Sequence, residues 1–420
     1  MIRFLFLLFF ATLPFQFALS PLPGIDLHIS RLFALGLFGL WLIRSFIRRS
    51  LSIPTKPETW LLFAVFFLSA FSLFFAENAS WGTRKLFFLL SFLPTLLIAS
   101  SLLRTTPERE AFVRALTGGA ALSALVGIAQ FLLPFVIGLD PAIQFWQHAV
   151  IPLFSGLTFS NVVTEYSSMV VNIGGTNFLR ASAFFPDPHI ASFFWGMSLP
   201  LSIALAFQSK RDQGKKSRFF LFATTSLLIL LADILTFSRG GYVALLATLF
   251  ASLAIRFSDL IRKHTLPLLL SAAIFVLALI IPTPLSERLV SSLDLSDHST
   301  SGRLAIWAEA IHIIEQHSLT GVGLGNYSNT VLPSAHYREP RYAHNIFLDI
   351  AAETGIATAL TFFLAISLVL IQSLLQYRNR PFIFAGGCSI LIFSIHSFFE
   401  TPLYSVHILP LFLSLLAFIP

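Results

Sequence analysis

Charged side chains are scarce in this sequence, and cysteine is almost absent. Only 11% of the 420 residues are Asp, Glu, Lys or Arg, whereas 56% are hydrophobic. Such a chain cannot cover a soluble globular surface, so the composition excludes that class of protein and indicates a lipid environment. The single cysteine, Cys388, lies in an apolar run, which excludes a disulfide framework and a thiolate metal site.

Long apolar segments are abundant. Stretches of about 18 to 25 residues predict an all-α polytopic membrane protein with about twelve transmembrane helices. A cleavable signal peptide ending at Ala18-Leu19-Ser20 stays open as an alternative for the first segment. The predicted spans are Ile2–Leu19, Ile29–Ile47, Trp60–Ala76, Leu86–Leu103, Ala115–Ile137, Ile190–Phe207, Phe219–Phe237, Tyr242–Ile255, Leu266–Ile281, Asn345–Leu370, Phe382–Phe399 and Leu403–Ile419.

Lys and Arg concentrate in the short loops at one end of these spans. The positive-inside rule places that end in the cytoplasm, and a twelve-span count places both termini there. This distribution also accounts for the formal charge of +7 without nucleic acid as a partner. The residues are Arg44, Arg48, Arg49, Lys56, Arg104, Arg109, Arg114, Lys210, Arg211, Lys215, Lys216, Arg218, Arg256, Arg262, Lys263, Arg378 and Arg380.

Two loops at the other end are long, residues 138–189 and 282–343. Each is too short and too poor in strand signals for a separate domain, so both are expected to fold back onto the helix ends. The chain therefore divides into residues 1–281 with nine spans, a long extra-cytoplasmic loop at 282–343, and residues 344–420 with three spans. The long loop is predicted to be partly helical, with Gly321–Gly325 as a flexible hinge after its helix.

Three polar residues stand out near the extra-cytoplasmic ends. Arg239 lies in a tight turn beside Gly240 and Gly241. Arg303 begins the amphipathic helix of the long loop, where a cation is unfavourable unless it faces an anion. His344 stands where that loop enters the next span, and a histidine there could take a proton from a hydroxyl. Taken singly, each could instead be structural: a snorkelling arginine, a solvated arginine and an ordinary histidine.

Together these residues resemble the O-antigen ligase superfamily, which includes O-antigen ligases, O-antigen polymerases and protein O-oligosaccharyltransferases. The resemblance is specific from Arg239 to Thr358 and only general elsewhere. The pattern H-[NSQ]-x9-G-x-x-[GTY] is fitted by His344, Asn345, Gly355 and Thr358. Ser238-Arg239-Gly240 looks like the family's Ser-Arg-Gly turn. The family's long periplasmic loop is matched by Gly302-Arg303, Trp307 and the segment 321–326.

The resemblance implies a GT-C-like glycosyltransferase without a cofactor. It would move a glycan from undecaprenyl pyrophosphate to an acceptor hydroxyl, such as that of lipid A core, on the periplasmic face of the bacterial inner membrane. His344 would be the general base, and Arg239 and Arg303 would hold the diphosphate. No metal is expected, because Asp26 with His28 and Asp294 with Asp297 are weak candidates. Further predicted substrate-binding residues are Arg84, Lys85, Arg180, His189, Asn345 and Glu400.

Other functions stay open. An O-antigen polymerase shares the donor and much of the site chemistry and differs in the acceptor. A protein O-oligosaccharyltransferase is a third possibility within the family. A secondary transporter or lipid flippase is the alternative from another class, because twelve spans are common there. Transporters place their charges near the membrane midplane, whereas Arg239, Arg303 and His344 are predicted at helix ends, which favours an enzyme.

Overall fold

The computed structural model describes residues 1–22, 24–49, 56–165, 167–211, 216–260, 298–335, 341–378 and 380–419. The predicted span Leu266–Ile281 lies outside the described residues, as do Asp294, Asp297 and three of the basic loop residues, Lys215, Arg262 and Lys263.

Helices make up most of the described chain. In order they are α1 (Ile2–Thr12), α2 (Ile29–Ile47), α3 (Pro57–Phe71), α4 (Ala79–Leu102), α5 (Thr106–Leu132), α6 (Pro134–Ile137), α7 (Leu139–Phe145), α8 (Ile151–Ser155), α9 (Leu157–Glu165), α10 (Pro188–Arg211), α11 (Lys216–Ile234), α12 (Arg239–Leu260), α13 (His298–Gln316), α14 (Tyr327–Val331), α15 (Ile346–Thr354), α16 (Ile356–Leu375), α17 (Pro381–His396) and α18 (Ile408–Phe418).

The chain is a polytopic membrane protein. Within the part of the chain that the structure describes, seven helices are long and apolar enough to cross a bilayer: α2, α3, α4, α5, α10, α11 and α16. Four shorter apolar helices accompany them, namely α1, α12, α17 and α18. The predicted all-α membrane class is confirmed.

The predicted span Asn345–Leu370 is not one helix. It is broken at Gly355, whose φ of 88° ends α15 and begins α16. A side chain at Gly355 would bring Cβ to 2.2 Å from the carbonyl oxygen of Leu319, so only glycine fits this crossing. The prediction of an uninterrupted span there is wrong, because the break comes from packing against a distant segment.

Two small antiparallel hairpins were not predicted. Strands β1 (Ala18–Leu22) and β2 (Ile25–His28) pair with Ala18 opposite His28. Strands β3 (Val170–Ile173) and β4 (Thr176–Leu179) form the second hairpin, inside the loop 138–189. Four-residue and five-residue strands give too little alternation to stand out in an apolar sequence.

Helix α10 lies at the centre of the bundle, packed against α5, α11 and α17. In its most apolar stretch, 78% of the residues are buried. Phe193, Phe194 and Trp195 have no exposed surface. Helix α18 is apolar on every side and is buried against α4, as expected for an all-round apolar helix inside a large core. Helix α1 packs on α5 through Phe6 and Phe10.

The basic residues at one end of the bundle are partly structural. Lys56 Nζ donates to the carbonyl of Ile419 at 2.6 Å, and Arg109 Nε donates to that of Phe418 at 3.1 Å. Both cations thus satisfy carbonyl groups at the C-terminal end of α18. The opposite end of the bundle, where α4 and α10 begin and α17 ends, is called the site end below.

The segment Gly321–Gly325 is closely packed. A Cβ at Gly321 would lie 2.2 Å from the carbonyl carbon of Glu353, and one at Gly323 would lie 2.4 Å from Cα of Ala76. All three glycines have positive φ, and Leu324 is buried. The predicted flexible hinge is therefore a tight connection that needs glycine for backbone approach rather than for motion.

Candidate active site

The carboxylate of Glu400 joins three side chains at the site end. Its Oε2 lies 2.8 Å from Nδ1 of His344, and its Oε1 accepts a hydrogen bond of 2.9 Å from Nη2 of Arg303. The same Oε1 is 3.8 Å from Nε2 of His189. Arg303 comes from α13, His344 from the turn before α15, and His189 from the first turn of α10. Four segments distant in sequence therefore meet at one carboxylate, which is mostly buried.

The backbone at His344 is held in an unusual conformation. Its φ is 49°, in the left-handed region that histidine adopts more readily than most residues. The N–H of the preceding Ala343 donates to Asp349 Oδ1 at 2.7 Å, and its carbonyl accepts from Nε1 of Trp307 at 2.9 Å. Asn345 then caps α15 by accepting from two backbone N–H groups. These bonds hold the backbone on both sides of His344, and the contact with Glu400 engages its imidazole.

Asp349 connects the two segments that carry His344 and Glu400. Its Oδ1 accepts from Ala343, and its Oδ2 accepts from the hydroxyl of Thr401. Burial raises the pKa of Asp349 to about 6, although both hydrogen bonds oppose the rise. Sequence reasoning missed this residue. The signal available was an acidic side chain inside a predicted span, which by default calls for a partner.

Arg239 begins α12, directly after a tight turn. Phe237 in that turn has a φ of 51°. The hydroxyl of Ser238 lies 3.1 Å from Nδ1 of His189 and 3.1 Å from Nε2 of His396. Since His189 also faces Glu400, a chain of polar contacts links the turn of Arg239 to the partner of His344.

The two glycines after Arg239 are required by packing. A Cβ at Gly240 would lie 2.8 Å from Cδ2 of His396, and one at Gly241 would lie 2.1 Å from Oγ of Ser192. The first turn of α12 therefore packs directly against side chains of α10 and α17. This contact sets the position of Arg239 relative to the histidines.

Several predicted site residues have protein partners elsewhere. Arg180 is buried and donates to the carbonyls of Thr236 and Ser168, at 2.6 and 3.0 Å, so it supports the turn before Arg239. Lys85 forms an ion pair with Glu353 at 2.6 Å and lies 3.7 Å from the ring centroid of Tyr404. Arg84, next to it on α4, is exposed and lines a cleft.

The structure thus groups His344, Arg303, Glu400 and His189, with Arg239 linked through Ser238, and places Arg84, Lys85 and Arg180 outside the group.

Neighbouring charges shift the pKa values of Glu400 and His344. Burial disfavours the charged form of Glu400, but the nearby His189, the hydrogen bond with His344 and the charge of Arg303 outweigh burial and lower its pKa. Burial lowers the pKa of His344, but its hydrogen bond and charge interaction with Glu400 raise the pKa above 6.5 overall. Glu400 is therefore ionised and engages Nδ1, which leaves Nε2 of His344 to exchange a proton with a substrate.

A metal site would need several ligand side chains close together among the described residues. Within them, no three His, Cys, Asp or Glu side chains are placed to hold a metal ion together. His312, on the exposed side of α13, lies 2.9 Å from the amide of Gln316 through Nε2.

Comparison with known protein families gives a match to one part of the chain. Residues 224–363, a third of the chain, match the family described as O-Antigen ligase. No curated protein matches the chain. The matched segment runs from α11 into α16 and includes Arg239, Arg303 and His344, whereas His189 and Glu400 lie outside it. Over this third of its length, the chain is similar to the O-antigen ligase family, whose members are membrane glycosyltransferases.

Proposed function

We propose that this protein is an O-antigen ligase that transfers a glycan from undecaprenyl pyrophosphate to a hydroxyl of lipid A core. The reaction takes place on the periplasmic face of the inner membrane, without a metal. One observation carries the proposal: Glu400 binds a histidine and an arginine at once, through His344 Nδ1 and Arg303 Nη2. Such an arrangement unites a proton acceptor with a cation that can bind a diphosphate.

In the proposed reaction, the histidine accepts a proton and the arginines bind the diphosphate. The acceptor hydroxyl forms a bond to the anomeric carbon and gives its proton to Nε2 of His344. The bond from that carbon to the pyrophosphate oxygen breaks, and Arg239 and Arg303 stabilise the negative charge of the departing diphosphate. Glu400 stabilises the imidazolium that results. Attack opposite the leaving group inverts the anomeric centre.

Periplasmic orientation is supported by the position of the basic loops. The cations predicted to face the cytoplasm, such as Arg109 and Lys56, lie at the end of the bundle that holds the last residues of α18. The Glu400 group lies at the other end, where α10 begins. Under the positive-inside rule the site therefore opens to the periplasm.

Deletion of the gene tests the function in the host. We expect the lipopolysaccharide to lose all capped core on a gel, while lipid-linked polymer accumulates. Wild-type protein should restore the ladder, and His344→Ala should not. His148→Ala is the matched control, because His148 is an exposed histidine of the loop 138–189 whose Nδ1 lies 2.9 Å from the carbonyl oxygen of Gln144. Core capped by a single repeat unit would indicate a polymerase, and an unaltered ladder would contradict both functions.

Metal independence is tested with purified protein. Transfer from a lipid-linked donor to lipid A core should persist at the wild-type rate after treatment with EDTA, because two arginines supply the charge that a divalent cation would provide. Product formation in this assay also separates an enzyme from a transporter. Loss of transfer in EDTA with recovery on adding Mg²⁺ or Mn²⁺ would refute the claim.

A further inference from the structure

A cleft of about 520 Å³ opens at the site end beside the Glu400 group. Its walls come from hairpin β1–β2, from the first turns of α4 and from the segment that follows α17. Thr401, which follows Glu400, and Tyr342, two residues before His344, both line it. Its volume falls within the range of roughly 300 to 1,000 Å³ typical of small-molecule sites. The cleft therefore adjoins the two segments that carry the base and its carboxylate partner.

The arginines assigned to the donor do not belong to this cleft. Within the described chain, neither Arg239 nor Arg303 lines it. Both instead approach the Glu400 group from α12 and α13. A diphosphate held by these arginines would thus lie outside the cleft, which leaves the cleft to the other substrate. Two substrates that react at one base need such a separation.

The charges along the cleft are balanced. Its described lining includes as many cations as carboxylates, and Lys85 is paired with Glu353. Asp187 accepts from backbone N–H groups at the start of α10, and Asp26 does the same at the start of α9. A strongly anionic ligand would gain little here. The cations are Arg31, Arg84 and Lys85, and the carboxylates are Asp26, Asp187 and Glu353.

Aromatic side chains form part of the lining of the cleft. Tyr342 and Tyr404 lie nearly parallel, with ring centroids 6.3 Å apart and planes at 21°. Trp81, from the first turn of α4, lines the same cleft and is half-buried. Flat apolar faces bordered by hydroxyl and charged groups match a sugar ring, which has apolar C–H faces and polar edges.

We propose that this cleft binds an uncharged stretch of the acceptor's sugar chain and presents one of its hydroxyls to Nε2 of His344. This inference rests on the proposed function and assigns a location to its second substrate. Trp81 supplies a stacking face, and Tyr342 links the cleft to the turn that carries the base. The donor's diphosphate and polyprenyl chain bind elsewhere.

The test compares Michaelis constants for the two substrates. Trp81→Ala should raise KM for the acceptor by roughly tenfold, the value of one aromatic stacking contact. KM for the lipid-linked donor should not change, and Trp81→Phe should restore most of the affinity. Trp60→Ala is the matched control, because Trp60 is 56% exposed on α3 and does not line the cleft. A rise in the donor's KM instead would assign the cleft to the donor and overturn the proposal.

A binding experiment separates this inference from the proposed function. Saturation-transfer NMR with lipid-free, dephosphorylated core oligosaccharide should show contact with wild-type protein and lose it in Trp81→Ala. Such binding would support the cleft assignment even if no transfer to lipid A core were observed, an outcome that would contradict the function alone. Transfer by the wild type with unaltered acceptor kinetics and unaltered binding in Trp81→Ala would overturn the cleft assignment alone.

Discussion

His344→Asn is expected to lower the rate of glycan transfer by about 10²- to 10⁴-fold, the usual contribution of a general base. Asparagine is the informative replacement, because it tolerates the φ of 49° found at His344 and cannot act as a base at neutral pH. The turn should therefore keep its conformation while the proton acceptor is lost. Initial rates with purified protein, lipid-linked donor and lipid A core measure the effect.

Two controls limit the interpretation of that loss. His148→Asn should transfer at the wild-type rate, since His148 is an exposed histidine bonded to Gln144. Binding of the donor to His344→Asn should be close to that of the wild type, because the arginines are retained. Transfer by His344→Asn at rates near those of the wild type would show that another group accepts the proton.

Glu400 should control the pH dependence of the same step. The carboxylate raises the pKa of His344, so part of the histidine is protonated and inactive at mildly acidic pH. Glu400→Gln removes that influence and leaves the charge of Arg303 unopposed, and both changes lower the pKa of His344. The acid limb of the rate profile should accordingly move to lower pH, with a smaller maximal rate because the base is weaker. An unmoved limb would show that Glu400 does not act through His344.

Much of the fold follows from hydropathy, because each transmembrane helix must satisfy its own backbone in lipid. The apolar spans therefore appear in the sequence as long runs, but their ends are less certain: α1 ends at Thr12 rather than Leu19, and α5 begins at Thr106 rather than Ala115. The break at Gly355 could not be found in this way. Apolar residues continue through it, and the space for a side chain at Gly355, where φ is 88°, is taken by the carbonyl of Leu319 from another segment.

The site was predictable where a residue is unusual in its own surroundings. Arg239 and His344 are polar residues at the ends of apolar helices, and Arg303 is a cation on an amphipathic helix of the long loop, which is enough to single them out. The role of Asp349 depends on Thr401, 52 residues later, and no local pattern records that contact. The partner of Lys85 is likewise distant, since Glu353 reaches it from α15. Pairings of this kind are properties of the packed bundle.

Removal of either arginine of the site is expected to cause the second large loss of glycan transfer. Arg239→Ala and Arg303→Ala should each reduce transfer by about 10²- to 10³-fold, as expected when one group that stabilises a developing negative charge is removed. Lysine at either position should recover only part of the rate, because it keeps the charge and loses the planar fork that binds two phosphate oxygens. Arg114→Ala should be harmless, since Arg114 is exposed at the basic end and pairs with Glu110.

The two arginines should differ in their effect on pH. Arg303 faces Glu400 and lowers the pKa of His344, so Arg303→Ala should raise that pKa and move the acid limb of the rate profile to higher pH. Arg239 is linked to the group through Ser238 and His189, so Arg239→Ala should weaken transfer with little change in the profile. The shift expected for Arg303→Ala is opposite in sign to that expected for Glu400→Gln. Arg303→Ala could shift the acid limb of the rate profile and leave the kinetics with the donor unchanged. That outcome would mean that Arg303 only positions Glu400 and that Arg239 holds the diphosphate without Arg303.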